Sequence, residues 1–260
     1  MRLEISNLQK ADIFVQCFQH MKTFVDSINI VFKEEQMYVQ CMDHSMVLIM
    51  ELSIPSLWFD VYQVEQDITI GVSSHVLSKV ISIRDKSQTI TWNTENLSDK
   101  LSIKFHAENS KLVFDKEFEI PLIDLETELL SIPATEYPAE FTLPCSVFAN
   151  MINQLKQFGE TLHIECTEEH IQMISDSPEF GKMNTHMPID DLEEYAINEG
   201  QTVDNGFALR YLSNVCLYQK ISKSLFIGVS GDFPMKLQFQ MDENAQLVFY
   251  LAPKINDDEL

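Results

Sequence analysis

An α+β fold of two similar domains, each built from antiparallel sheet and two helices, is what the patterning of this 260-residue chain predicts. Three observations carry the prediction. The same succession of helix pattern, alternating runs, second helix pattern and further alternating runs occurs twice. Between the copies stands 117–137, EFEIPLIDLETELLSIPATEY, whose Pro121 and Pro133 argue against a continuous helix. Short alternating runs outnumber helix patterns and only seven glycines are present, which favours antiparallel sheets with helices gathered on one face. The boundaries read as 1–121, a connecting strap at 122–136, and 137–260.

The first half opens with a strand at 2–8 and a helix at 9–26, where Phe14, Phe18, Met21 and Val25 recur on one face. Alternating runs at 27–32, 37–41, 46–52, 58–62 and 67–72 predict strands. A second helix covers 73–86, and strands at 89–93, 100–106 and 111–120 complete the half. After the strap come a strand at 139–143 and a helix at 144–159 with Phe148, Met151, Ile152 and Leu155 on one face. Strands follow at 161–166, 170–175 and 183–189. The acidic stretch 190–205 reads as exposed loop, 207–223 as the fourth helix, and 225–230, 234–241 and 246–251 as strands. The acidic tail from Asn256 reads as disordered.

Composition narrows the function classes. With 45% hydrophobic residues the chain can bury two ordinary cores. Cys17, Cys41, Cys145, Cys166 and Cys216 are odd in number and form no CxxC pair, so a reducing compartment fits and a disulfide framework or zinc ribbon does not. No basic-then-apolar leader opens the sequence, and no apolar run approaches the roughly 20 residues of a spanning helix, which predicts a soluble, non-secreted chain with no membrane partner. On that expectation the glycosylation match at 96–98 and the terminal Asp-Asp-Glu-Leu are chance matches.

The formal charge of −22 argues at first against a nucleic-acid partner. The charges are, however, unevenly placed. The four helix segments hold nine of the 18 basic residues (Lys10, Lys22, Lys79, Arg84, Lys86, Lys156, Arg210, Lys220 and Lys223). They hold three of the 40 acids, Asp12, Asp26 and Asp85. They therefore sum to +6 and the rest of the chain to −28. Lying side by side, such helices present one positive face on an acidic body. Beyond about 10 Å surface charges are largely screened at 0.1 M salt, so that local face decides the interaction. Gln16, Gln19, Asn150, Asn153 and Gln157 on the same faces suit undemanding contact with a backbone. No base-reading helix and no aromatic stacking platform is evident, so contact is expected to be sequence-independent. Solvated faces with no ligand are the alternative.

Catalytic constellations are missing from the sequence. There is no GxxxxGK[ST], GxGxxG, GxSxG or HExxH. Gly228-Val229-Ser230-Gly231 reads as a strand end. His163-Ile164-Glu165 imitates the HxE of zinc deaminases without the PCxxC that must follow, and its alternation reads as a strand. No catalytic residue, metal or cofactor is assigned.

Several runs, matched in order and spacing over the whole chain, carry a resemblance. They are FYLAPKI at 249–255 followed by acids, FALRYL at 207–212, WFDVY at 58–62, QCMD at 40–43, and LIDLE at 122–126 with Ile132-Pro133. Together they resemble the proliferating cell nuclear antigen family, the eukaryotic-type sliding clamps. The resemblance implies a closed ring of three subunits whose twelve helices line a hole, outer sheets that join edge to edge, and duplex DNA held by topology and weak phosphate contacts. DNA would face Lys10, Lys22, Lys79, Arg84, Lys156, Arg210 and Lys220. A polymerase, a clamp loader and other partners with QxxLxxFF-type peptides would dock beside the strap. Carried over by position, their pocket comprises Met42, Met46, Val47, Ile49, Leu130, Ile132, Pro133, Pro234, Tyr250, Ala252 and Pro253, with Ala208 near the peptide's glutamine. Thioethers and prolines suit an adaptable apolar cavity.

Some positions depart from the family's pattern. Asn150, Asn153 and Gln157, with Gln16 and Leu217, stand where basic or histidine residues are usual, and Glu168 replaces the lysine that ubiquitin or SUMO modifies. A divergent or virus-encoded member, acting in the nucleus or a viral replication compartment, is the expectation. The function implied is a homotrimeric processivity clamp without catalysis; the alternative is an interaction hub or checkpoint-type subunit of a heterotrimer.

Overall fold

The computed structural model describes residues 1–95, 98–108, 112–126 and 129–254. Asn96 and Leu97 of the glycosylation match, Lys111 at the start of one predicted strand, and the whole tail from Asn256 lie outside the described residues. The chain forms two compact units. The first takes in residues 1–44, 50–131 and 241–247, and the second 45–49, 132–240 and the chain from 248.

In the first unit, Asn7 starts helix α1 (Leu8–Gln19) because its Oδ1 accepts the free backbone N–H groups of Gln9 and Lys10 at 2.9 and 3.1 Å. Ser73 caps α2 (Ser74–Ile81) in the same way. The two helices pack on each other. Phe14, Phe18, Met21 and Val25 are all buried, as their spacing predicts. A five-stranded antiparallel sheet runs in the order Val61–Gln63, Arg2–Ile5, Thr89–Asn93, Lys100–His106, Lys116–Pro121. Leu48–Pro55, Gln36–Met42, Ser27–Phe32 and Ile68–Ser73 pair in that order. The core centres on Phe14, whose ring lies 4.9 Å from Phe18, 5.0 Å from Trp92, 6.2 Å from Phe59 and 6.3 Å from Trp58.

The second unit repeats the plan. Helices α3 (Cys145–Leu155) and α4 (Leu209–Val215) pack together, and Phe148, Met151, Ile152 and Leu155 are buried. One sheet runs Gly181–Pro188, His170–Ser177, Thr161–Cys166, Val203–Ala208; Glu194–Ile197, Ala139–Pro144, Ser224–Val229, Met235–Gln240 and Gln246–Leu251 also pair in sequence. The HxE run is a strand of alternating burial, and Val229 ends another strand just before Ser230. Few helices among mostly antiparallel strands in two like units make the α+β fold that the sequence predicts.

Three local expectations need correction. The helices are shorter: α1 stops at Gln19 and gives way to a 3-10 turn, Met21–Thr23, and α2 stops at Ile81, where the Ser82 hydroxyl turns back to the carbonyl of Ser78 at 2.7 Å. The run 58–62 is not one strand, because a 3-10 turn at Ser56–Trp58 buries Trp58 before Val61–Gln63 pairs. The acidic stretch 190–205 is not simply loop. Glu194–Ile197 pairs with Ala139–Pro144, placing Tyr195 opposite Phe141, and Val203–Ala208 joins the other sheet. Acidic residues on the outward positions hide that alternation from a composition reading.

The strap has no helix among its described residues 122–126 and 129–136. Among the described residues, side chains and backbone of the first unit hold it at four points, the first being Leu122 N–H to Asp99 O at 2.8 Å. Ile123 N–H donates to Gly71 O (2.9 Å), Asn29 Nδ2 donates to Leu125 O (3.1 Å), and the Gln40 amide both donates to Leu130 O (2.9 Å) and accepts from Leu130 N–H (2.7 Å). Gly71 is required by that close approach, since a Cβ there would sit 2.2 Å from the Ile123 carbonyl oxygen. Gly71→Ala is therefore expected to break the bridge and cost about 1–3 kcal/mol. Hydrogen exchange at the Ile123 amide checks it: protection is lost if the bridge breaks, and unchanged protection refutes the expectation.

Candidate functional site

Seven cations are predicted to face DNA, and five of them are exposed with no carboxylate partner among the described residues: Lys22, Lys79, Lys156, Arg210 and Lys220. Because the helices are short, only Lys79 and Arg210 of these lie within an α-helix. Lys22 sits in the 3-10 turn after α1, Lys156 at the C-cap of α3, and Lys220 beyond the 3-10 turn Cys216–Tyr218. Helix ends, not helix faces, carry most of the positive charge. Helix α3 itself has no formal charge, and its exposed polar groups include Asn150, Asn153 and Gln154.

Two of the seven are engaged elsewhere. Arg84 is a correction: its side chain is 2% exposed, and the guanidinium donates to Asp12 Oδ1 and Gln88 O at 2.6 Å each and to Lys86 O at 3.3 Å. A guanidinium buried among those acceptors ties α1 to the turn after α2 and cannot meet a phosphate. Lys10 is 19% exposed, and its ammonium donates to Trp58 O (2.9 Å) and Glu243 Oε2 (3.0 Å) over the Trp58 ring.

Of the predicted docking residues, the second unit brings Val47, Ala208, Ala252 and Pro253 together on the wall of one cavity of about 740 Å³. The chain ahead of the tail is fixed there by Ala252 N–H to Val47 O (2.9 Å) and Lys254 N–H to Gly206 O (2.8 Å). Met46, Ile49, Ile132, Pro133, Pro234 and Tyr250 belong to the same unit but do not line this cavity. Met46 is 75% exposed on a left-handed backbone (φ 57°), and Pro133 and Pro234 are exposed. Met42, half-buried, and Leu130, exposed, belong to the first unit. Sequence reasoning missed Leu209 and Lys254 on the cavity wall, although Lys254 directly follows Ala252-Pro253. It also assigned Lys156 and Arg210 to DNA alone, whereas both line the cavity.

Burial disfavours the thiolate at each of the five cysteines. Loss of hydration raises the Cys41, Cys166 and Cys216 thiols to about 12 and Cys145 to about 11, and pushes Cys17 up further. Glu168 accepts the Gly200 N–H at 2.8 Å. No helix among the described residues is long and apolar enough to cross a membrane.

Comparison with known proteins matches both halves of the chain. Residues 3–129 fit the family described as proliferating cell nuclear antigen, N-terminal domain, and residues 131–254 fit its C-terminal domain. A proliferating cell nuclear antigen of Chaetomium thermophilum is 27% identical, over 98% of this chain and 99% of its own length.

Proposed function

Because this chain belongs to the proliferating cell nuclear antigen family in both of its domains, a family of DNA clamps, we propose that it encircles duplex DNA as a homotrimeric ring. There it acts as a processivity factor, in the nucleus or a viral replication compartment. The observation that carries the reading is the set of exposed cations without carboxylate partners among the described residues, Lys22, Lys79, Lys156, Arg210 and Lys220, on a chain whose formal charge is −22. An anion can hold a polyanion only where such groups collect, and phosphate contact through them is independent of sequence. Its two domains are read as 1–121 and 137–260, joined by the strap.

Two sheet edges support ring assembly. Lys116–Pro121 ends the first unit's five-stranded sheet just after Phe114, which is 74% exposed; Gly181–Pro188 ends a sheet of the second unit just after Phe180, which is 61% exposed. Pairing the first edge of one chain with the second edge of the next is a head-to-tail contact, which makes a ring when it closes. The cavity holding Val47, Ala208, Ala252 and Pro253 is read as part of the docking site for QxxLxxFF-type peptides of a polymerase or clamp loader. Met46, Ile49, Ile132, Pro133, Pro234 and Tyr250 are read as its surroundings.

Polymerase extension on primed circular DNA with a cognate loader tests the reading. Wild type is expected to give long products, and the variant Lys22→Glu/Lys79→Glu/Lys220→Glu products at least several-fold shorter. The salt slope of DNA binding should also fall by about 0.9 for each phosphate that the variant no longer neutralises. Equal product lengths would overturn the DNA-facing assignment, and a particle lighter than three times 30.0 kDa in solution would overturn the homotrimer.

A further inference from the structure

Lys156, Arg210 and Lys254 line one cavity of the second unit, and all three are held in the same unusual way. Each is tethered by a neutral hydroxyl: Lys156 Nζ by Ser213 Oγ at 3.3 Å, Arg210 Nη2 by the Tyr211 hydroxyl at 3.2 Å, and Lys254 Nζ by Thr161 Oγ1 at 2.7 Å. Arg2, Lys10, Arg84, Lys100, Lys104 and Lys116, by contrast, each pair with a carboxylate. Glu160, the acid on the same wall, makes no ion pair with any of the three among the described residues. A lysine ammonium has three donors and a guanidinium five, so one hydroxyl each leaves most of them without a partner among the described residues. With 40 acids against 18 bases available, neutral tethers hold these side chains in place without cancelling their charge.

Beneath them Val47, Ala208, Leu209, Ala252 and Pro253 form an apolar floor. A concave site with an apolar floor and a cationic rim complements a peptide side chain next to a carboxylate. At physiological salt, charges beyond about 8 Å are screened, so the wall's three cations and one acid, Glu160, set the local sign against a distant acidic body.

We propose that this cavity selects partner peptides that carry carboxylates immediately before the residue seated against Ala208, with Lys156, Arg210 and Lys254 reading them. The inference rests on the docking reading of the same cavity. In a QxxLxxFF-type peptide the residue near Ala208 is the glutamine, which opens the motif, so the selected acids lie on its amino-terminal side.

Fluorescence anisotropy with the full chain and three such peptides, differing only in having Glu, neutral or Lys residues before the glutamine, tests it. The acidic peptide should bind about 5–10-fold tighter than the neutral one at about 0.05 M salt, with the gap closing near 0.5 M. In Arg210→Glu/Lys254→Glu the order should reverse, the Lys peptide binding tightest; circular dichroism establishes that this variant is folded. Equal affinities for all three peptides in the wild type overturn the inference and leave the docking reading intact. Absence of binding by every peptide overturns both. An acidic preference that survives in the variant, with only duplex-DNA affinity reduced, assigns these cations to DNA and overturns the inference.

Discussion

Arg84→Ala is expected to lower the stability of the chain by about 2–4 kcal/mol while leaving the salt dependence of duplex binding as it is in the wild type. The partner carboxylate, Asp12, is 47% exposed and returns to water at little cost once the guanidinium is gone. The loss lies elsewhere. Gln88 is fully buried, so its carbonyl is left without the donor at 2.6 Å, and the cavity left by the arginine stem loosens α1 from the turn at 84–88. Urea denaturation and a salt titration of DNA binding, done side by side, check both halves. Unchanged stability with a shallower salt slope would mean that Arg84 contacts phosphate after all.

Phe14→Ala is expected to cost about 3–5 kcal/mol, the range for a fully buried phenylalanine. The ring stands among Phe18, Phe59, Trp58 and Trp92, with centroids at 4.9–6.3 Å, and none of these neighbours can move in without disturbing the others. Both indole N–H groups in the cluster are buried without a hydrogen-bond partner among the described residues, so a void beside them offers water a polar anchor. Trp58 and Trp92 are the two tryptophans of the chain. Tryptophan emission, excited where tyrosine does not absorb, therefore reports this cluster alone and should shift to the red in the variant. A transition midpoint and emission maximum equal to wild type would show that the core does not depend on this ring.

The sequence exposed what period and spacing encode. The faces with Phe14, Phe18 and Met21 and with Phe148, Ile152 and Leu155 are buried as read, because an apolar repeat of 3.6 residues suits a one-sided helix and little else. Helix ends were less legible: α1 passes at His20 into a 3-10 turn and α2 ends at Ser82, whose hydroxyl bonds back to Ser78, and such local hydrogen-bond choices leave no periodicity. Arg84 was misread because a buried arginine and a surface arginine look alike until their acceptors are known. Four members of the docking group, Val47, Ala208, Ala252 and Pro253, came from spacing matched to a family, and the fold gathers them in one cavity. The strap's anchors at Asn29, Gln40 and Gly71 left no signal at all, since each lies far from its partner along the chain.

Helix α3 has eleven residues and not one ionised group. Amides such as Asn150 and Asn153 offer a passing phosphate a dipole without displacing a condensed ion, so their grip neither tightens in dilute buffer nor slackens in brine. On the proposed reading, a polyanion carried past this helix would meet an ionic contact at its end, Lys156 at the C-cap, and none along its length.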